Sequence, residues 1–384
     1  MKKISFRIIA FALLMAITLS VIAFADSAYP TTVEEVMAFP DVSAKSYVLA
    51  DAKTGEVIFC HNENQRMPIA STTKVLTCLV ALERVKLDDA VTVNAESCGI
   101  EGSSVYLYEG EKLYVRDLLY ALMLESANDA AVCLAYHVAG SIEAFSDLMN
   151  SKATELGLTN SHFNNPHGLE DAEHYSTALD MSRIWCEAMK NETFREIVST
   201  KTYRMDLEEE EGYRFLSNHN RLLKTFDDCI GGKTGYTKTA GRCLISGAER
   251  NGAELVMVTL NDPDDWADHQ ALLDYALSLY SSVEVASEGS VTHTVSVVGG
   301  KNKNVNLKNT DALTLTVRDV TKLKSHLEAP KFVYAPVKDV SQPLACVVYT
   351  IDGQTVATLP LYPEKAVEAV QKKSLFKRIF NIFK

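Results

Sequence analysis

Apolar and polar residues alternate between two periods along this chain, and the changes of period mark its elements. From Ser46 to Cys60 two short apolar runs flank the polar Asp51 to Gly55 stretch, which predicts a β-hairpin turning at Lys53-Thr54-Gly55. Helical spacing follows: Val75, Leu76, Leu79, Val80 and Leu82 share one face between Ser71 and Arg84, with Pro68 just ahead. Leu113 to Leu124 and Ala130 to Val138 are two more apolar helical runs, separated by the polar loop Glu125-Ser126-Ala127-Asn128-Asp129. Residues 142–157 and 176–190 read as amphipathic helices joined by the turn-rich segment Asn160 to His174. Cys229 to Tyr236, Arg242 to Glu249 and Leu255 to Leu260 are predicted antiparallel strands, and Gln270 to Tyr280 returns to helical spacing.

After about Ser282 the period becomes two. Val291, His293, Val295 and Val297 share one strand face and Leu313, Leu315 and Val317 another, with hairpin turns at Gly299-Gly300 and Asp352-Gly353. A helix-and-strand domain over 26–282 and a smaller all-β domain over 285–363 are therefore expected.

Both ends are distinct. Lys2, Lys3 and Arg7 precede an apolar run from Ile8 to Phe24 that ends in Ala23-Phe24-Ala25, the pattern of an export signal (1–25) cleaved after Ala25. The alternative is an uncleaved anchor, marginal in length for a bilayer. At the other end (364–384), Leu375, Phe376, Ile379, Phe380 and Phe383 take one helical face and basic residues the others. That segregation predicts an amphipathic helix lying on a lipid surface, against the alternative of docking on the protein's own core. Together the ends imply an exported protein held peripherally at the outer face of the cytoplasmic membrane.

The 384 residues carry a formal charge of −12, which opposes a general nucleic-acid role. Eight cysteines lie far apart, at 60, 78, 98, 133, 186, 229, 243 and 346, with no CxxC pair. Zinc or dithiol chemistry is thus disfavoured, no metal or cofactor is implied, and a pairing of Cys229 with Cys243 stays open.

Three short strings carry candidate chemistry. Ser71-Thr72-Thr73-Lys74 opens a buried helix, and residues three apart share a face, so the Lys74 amine can reach the Ser71 hydroxyl as its base. Such an amine must have a lowered pKa, which apolar surroundings favour; alone, the string is equally a capped helix start. Ser126-Ala127-Asn128 sets a hydroxyl and an amide on a polar loop, where capping is the plainer role. Gly231 to Thr237 interrupts a strand with glycines. Gly235 lets a substrate backbone approach, while Lys233 and Thr234 offer a cation and a hydroxyl to a carboxylate. A P-loop is excluded because Asp227 stands where its first glycine belongs.

In this order the three strings resemble those of the low-molecular-mass penicillin-binding proteins, specifically the serine-type D-alanyl-D-alanine carboxypeptidases of peptidase family S11. The resemblance spans residues 45–280 and includes Pro68 to Lys74, Ser126 to Asp129, His162 to Leu169 and Lys233 to Leu244. It implies an α+β domain of the serine β-lactamase/DD-peptidase kind, an antiparallel sheet flanked by helices, followed by the all-β domain and the C-terminal amphipathic helix. Ser71 would attack the carbonyl between the last two D-alanines of peptidoglycan stem peptides, Lys74 would take its proton and Ser126 would relay one to the leaving amine. Asn128 would bond the substrate amide, Lys233 with Thr234 would hold the terminal carboxylate, and Gly235 would leave room for the substrate backbone. The N–H groups of Ser71 and Tyr236 would form the oxyanion hole, and β-lactam antibiotics would inhibit by acylating Ser71. Arg242 stands between a carboxylate contact and a surface salt bridge, and His167 reads as a turn residue before a catalytic one.

The rival within the fold is a class A β-lactamase. Its ExxLN loop has only Glu155-Leu156-Gly157-Leu158-Thr159 as a counterpart, which ends in threonine and sits too near Ser126. A catalytically silent wall-binding module would have no need of Ser71, Lys74, Ser126, Asn128 and Lys233 together.

Overall fold

The computed structural model describes residues 39–207 and 212–370. The expected export signal and residues 371–384 of the expected tail helix lie outside the described residues, whereas 364–370 are not helical: Val367 bridges to Val337 and Ala369 to Gly300, with Val367 buried, so the β-rich region extends past the expected limit of 363.

The N-terminal part of the described chain is built on a five-stranded antiparallel sheet. Its hairpin β1 (Ser46–Asp51) and β2 (Val57–His61) is followed by a 3-10 turn, Ala70–Thr73, and helix α1 (Lys74–Leu82). Next come β3 (Ala90–Thr92), β4 (Lys112–Tyr114), α2 (Val115–Leu124), α3 (Asn128–Ala139), α4 (Ile142–Glu155), α5 (Ala178–Ala188) and α6 (Glu192–Ser199). A hairpin, β5 (Thr202–Asp206) and β6 (Tyr213–Ser217), and the short α7 (Leu222–Thr225) lead to β7 (Cys229–Thr237), β8 (Gly241–Arg250), β9 (Ala253–Leu260) and α8 (Asp265–Leu279). The strand order is β2-β1-β9-β8-β7, which leaves β7 at an edge.

Period-two patterning explains the layers. In β9 every residue is buried; Val256 and Val258 face the core shared with α1 to α6, while Leu255 and Met257 face α8. Val48 and Ala50 of β1 join the first core and Leu49 the second. Helix α1 crosses the middle of the first core, with Lys74 to Ala81 all buried.

Directly after α8 the β-rich region begins with β10 (Ser281–Ala286), which pairs with β13 (Leu313–Val317). A six-stranded sheet is formed by β11 (Thr292–Val298), β12 (Asn304–Lys308), β14 (Leu323–Glu328), β15 (Phe332–Tyr334), β16 (Ala345–Ile351) and β17 (Gln354–Pro363). The alternation of β11 is as expected: Val295 and Val297 enter a separate core with Val305, Leu307 and Leu361. Asp352 and Gly353, both at positive φ, make the two-residue turn between β16 and β17.

Several boundaries differ from the sequence reading. The helix expected from Leu113 starts at Val115, because residues 112–114 pair with β3. The helix expected from 176 starts at Ala178, where Thr177 caps it by accepting from Asp180 N. Asn128 is the first residue of α3 and is not in the loop. All eight cysteines are free; Cys229 lies opposite Ala248 and Cys243 opposite Gly235, so that pair is about five residues out of register.

Candidate active site

The 3-10 turn ahead of α1 sets the nucleophile. Ala70, just before Ser71, has a φ of 47°, a left-handed conformation that costs a non-glycine residue about 1–2 kcal/mol and persists only when its surroundings enforce it. The enforcement is visible. His174 Nδ1 accepts from Asn164 N (3.1 Å), so its Nε2 carries the proton and donates to Thr73 Oγ1 (2.8 Å), whose hydroxyl donates to Ala70 O (2.8 Å). Burial lowers the His174 pKa to about 4, which keeps this neutral tautomer in place. On the other side Gly168, at φ 85°, presses on the same turn, and a Cβ there would lie 1.9 Å from Ala70 O.

Lys74 is fully buried, and its Nζ has three neighbours: Ser71 Oγ at 2.9 Å, Asn128 Oδ1 at 2.6 Å and His167 O at 2.7 Å. A neutral amine has two N–H donors and one lone pair, so it can donate to the two carbonyl oxygens while its lone pair receives the Ser71 proton. Burial holds its pKa well below the usual lysine range, and the Lys233 charge adds to this against the opposing pull of Asp129. Base function requires this state.

Opposite stands Ser126, at φ 59° and buried, with its hydroxyl accepting from Lys233 Nζ at 2.9 Å. Lys233 also donates to Thr234 O at 2.7 Å, and burial pushes its pKa down to about 7. Asn128 is anchored at both ends, since Nδ2 donates to Glu101 O at 2.6 Å while Oδ1 holds the Lys74 amine. It positions the base, and one N–H and one lone pair remain for a substrate amide. Beneath it the buried Asp129 carboxylate accepts from Ser104 Oγ and from Val105 N and Leu107 N, fixing the loop that carries Ser103.

A cavity of about 330 Å³ connects these groups, lined by Ser71, Ser103, Ser126, His219, Thr234, Gly235, Tyr236, Arg242, Asp265 and Trp266. Gly235 answers to a different neighbour than expected: an added Cβ would meet Ile69 O, Ser71 N and Thr72 N, each at 3.1 Å. Its missing side chain makes room for the nucleophile turn. Tyr236 turns its ring largely to solvent. Arg242 lies in the cavity wall and is also ion-paired, Nη2 to Asp265 Oδ1 at 2.6 Å. His167 is a turn residue. Burial lowers its ring pKa to about 3, Nδ1 accepts from Leu169 N, and its backbone oxygen holds Lys74.

The sequence reading missed Ser103, His219, Trp266 and the carbonyls of Glu101 and His167. No side-chain pattern announces a backbone carbonyl, and Ser103 is brought in by a loop. Among the described residues no cluster of His, Cys, Asp and Glu could hold a metal, and no helix is long and apolar enough to cross a membrane.

A serine bonded to a buried lysine whose pKa burial lowers, beside a second serine bonded to a strand lysine, defines a serine hydrolase that works through an acyl-enzyme. Comparison with known proteins narrows the class. Residues 32–264 match the S11 peptidase family model, described as D-alanyl-D-alanine carboxypeptidase, and residues 280–369 match the C-terminal domain of penicillin-binding protein 5. The D-alanyl-D-alanine carboxypeptidase DacF of Bacillus subtilis is 33% identical over 330 residues, covering 83% of this chain and 84% of the relative. DacC of Escherichia coli is 30% identical over 93% of this chain and 91% of its own. The crystal structure of penicillin-binding protein 5 from Haemophilus influenzae superposes with a TM-score of 0.76 at 27% identity, covering 86% of this chain and 98% of that one. The chain belongs to the S11 peptidases, the serine-type D-alanyl-D-alanine carboxypeptidases among the penicillin-binding proteins.

Proposed function

We propose that Ser71 attacks the carbonyl of a terminal D-Ala-D-Ala bond in peptidoglycan stem peptides, with Lys74 as its general base. The supporting observation is the Lys74 amine: fully buried and bonded to the Ser71 hydroxyl, it is poised to accept that proton. The edge position of β7 suits an extended peptide, which can add to the sheet as a further strand. The terminal carboxylate lies toward Lys233 and Thr234, with Arg242 at the cavity wall. The acyl oxygen rests on the N–H groups of Ser71 and Tyr236, a hole whose loss typically costs about 10²–10³ in rate. Ser126, bonded to Lys233, passes a proton to the leaving D-alanine amine; water then hydrolyses the acyl-enzyme.

β-lactams acylate the same Ser71 and leave slowly. The test is release of D-alanine from a peptide ending in D-Ala-D-Ala. Rapid hydrolysis of penicillin without D-alanine release would instead favour the β-lactamase reading.

The N-terminal 25 residues direct export and the basic amphipathic tail binds the outer face of the cytoplasmic membrane, a reading supported by the charge segregation in that tail. Deleting residues 372–384 is expected to release the mature protein from membranes with its activity intact. Retention after deletion would remove the anchor.

A further inference from the structure

A second cavity, of about 500 Å³, opens on the far side of the nucleophile. Its walls are chain neighbours of site residues: Ala70 precedes Ser71, Gly168 follows His167 and Thr237 follows Tyr236. The first cavity is lined by Thr234 to Tyr236 and the second by Thr237 and Thr239, so the two succeed one another along β7 and its continuation. Strand residues advance about 3.3 Å each, which puts Thr237 some ~10 Å beyond Thr234. A peptide with its terminal carboxylate at Thr234 and its scissile carbonyl at Ser71 must run its acyl portion toward Thr237. The residue before the acyl D-alanine, third in the stem, then lies beside this second cavity.

The chemistry of the cavity is mixed in a specific way. Met67, Pro68, Ile69 and Leu169 give apolar contact for a methylene chain. On one side Arg66 stacks over the Tyr175 ring (5.0 Å to its centre), and its hydrogen-bond partners are the neutral Asn160 Oδ1 (3.1 Å), the Tyr175 hydroxyl and Thr159 O. The guanidinium charge is therefore free to take a carboxylate. On the strand side the Glu170 carboxylate is steadied by Thr239 N (3.1 Å), and Asp171 stands next to it in the chain.

We propose that this cavity is a subsite for the third residue of the stem, selecting a long side chain that ends in both a carboxylate, held by Arg66, and an amine, held by Glu170 and Asp171. A purely cationic end would leave Arg66 unanswered, and a purely anionic one would face the two carboxylates. The inference rests on the carboxypeptidase reading of the site.

The test uses peptides ending in X-D-Ala-D-Ala, with X as meso-diaminopimelate, its side-chain amide, lysine or norleucine, and reads the ratio of each kcat/KM to that of the norleucine peptide. Such a ratio is insensitive to the fraction of folded enzyme. For the wild type the diaminopimelate ratio is expected to be about two- to fivefold, the scale of a single exposed ion pair, and its amide should fall toward lysine. Arg66→Gln should make acid and amide equal, Arg66→Lys should restore part of the difference, and Glu170→Gln should reduce the diaminopimelate and lysine ratios together. A wild-type ratio near one, or a ratio unchanged in Arg66→Gln, would overturn the subsite. Absence of D-alanine release from every peptide, norleucine included, would overturn the carboxypeptidase reading beneath it.

Discussion

Gly168 offers a way to disturb the nucleophile without touching a reacting group. A Cβ added there would stand 1.9 Å from Ala70 O, 2.4 Å from Ala70 C and 2.8 Å from Thr73 Oγ1. Two of these atoms are backbone, so relief requires the 165–169 turn or the Ala70-Ser71 turn to move. Gly110 is the natural control: its φ is also 85°, yet nothing lies within 4 Å of its added Cβ. Gly110→Ala should cost only the left-handed backbone penalty, about 1–2 kcal/mol. Gly168→Ala adds overpacking of about 1–3 kcal/mol, for a total near 2–5 kcal/mol, below the 5–15 kcal/mol typical of a folded domain. The protein should still fold. Moving Ser71 by about 1 Å is worth ~10²-fold in rate, so the acylation rate with penicillin should drop on that scale in Gly168→Ala and hold in Gly110→Ala. Urea unfolding supplies the stabilities and stopped-flow acylation the rates. Equal stability losses in the two variants, with acylation unchanged in both, would refute the packing argument.

Further outcomes follow from the buried titratable groups. Lys74→Met removes an amine that burial disfavours as a cation; acylation should fall by ~10²–10⁴, the usual contribution of a general base, while the urea midpoint holds or rises. In the free enzyme Lys233 titrates at about 7, so kcat/KM should decline above that pH as its cation is lost, and Lys233→Arg should flatten that decline. His167, His174 and His269 titrate at about 3, 4 and 3 when folded and near 6.5 when unfolded, so between those values the unfolded chain binds more protons. Stability should be full above pH 6.5 and fall as pH drops toward 4; a urea midpoint equal at pH 7 and pH 5 would contradict their burial as neutral rings. Burial raises the Cys133, Cys186 and Cys243 thiols to about 12, so in the native protein a thiol reagent should label the exposed Cys60 well before any of them.

Much of this fold was legible because its sheet and helices bury one face at a regular period. In β9 the unbroken apolar run reads as a central strand, and β11 alternates cleanly because one side meets solvent. The hairpin β5–β6 escaped notice for the opposite reason: its buried side holds Met205 and Leu216, while Tyr213 and Phe215 project outward, so its hydrophobicity runs against its burial. Helix α6 has a readable face in Phe194, Ile197 and Val198 but only eight residues to display it.

At the site, Ser71, Lys74, Ser126 and Lys233 could be read because their spacing matches known strings. Asn128 and Asp129 misled. Their polarity resembled an exposed loop, whereas both are buried at the start of α3, where Lys74, the Glu101 carbonyl and the amides of Val105 and Leu107 answer them. The same holds for Gly235, whose role depends on what packs behind the strand.

The central claim is that one hydroxyl, activated by one buried amine, forms the acyl-enzyme. Intact-mass and peptide mass spectrometry of penicillin-treated protein addresses it most directly. A single penicilloyl adduct is expected on Ser71 in the wild type and none within the same time in Lys74→Met. An adduct on any other residue, or equal labelling with and without the amine, would contradict it.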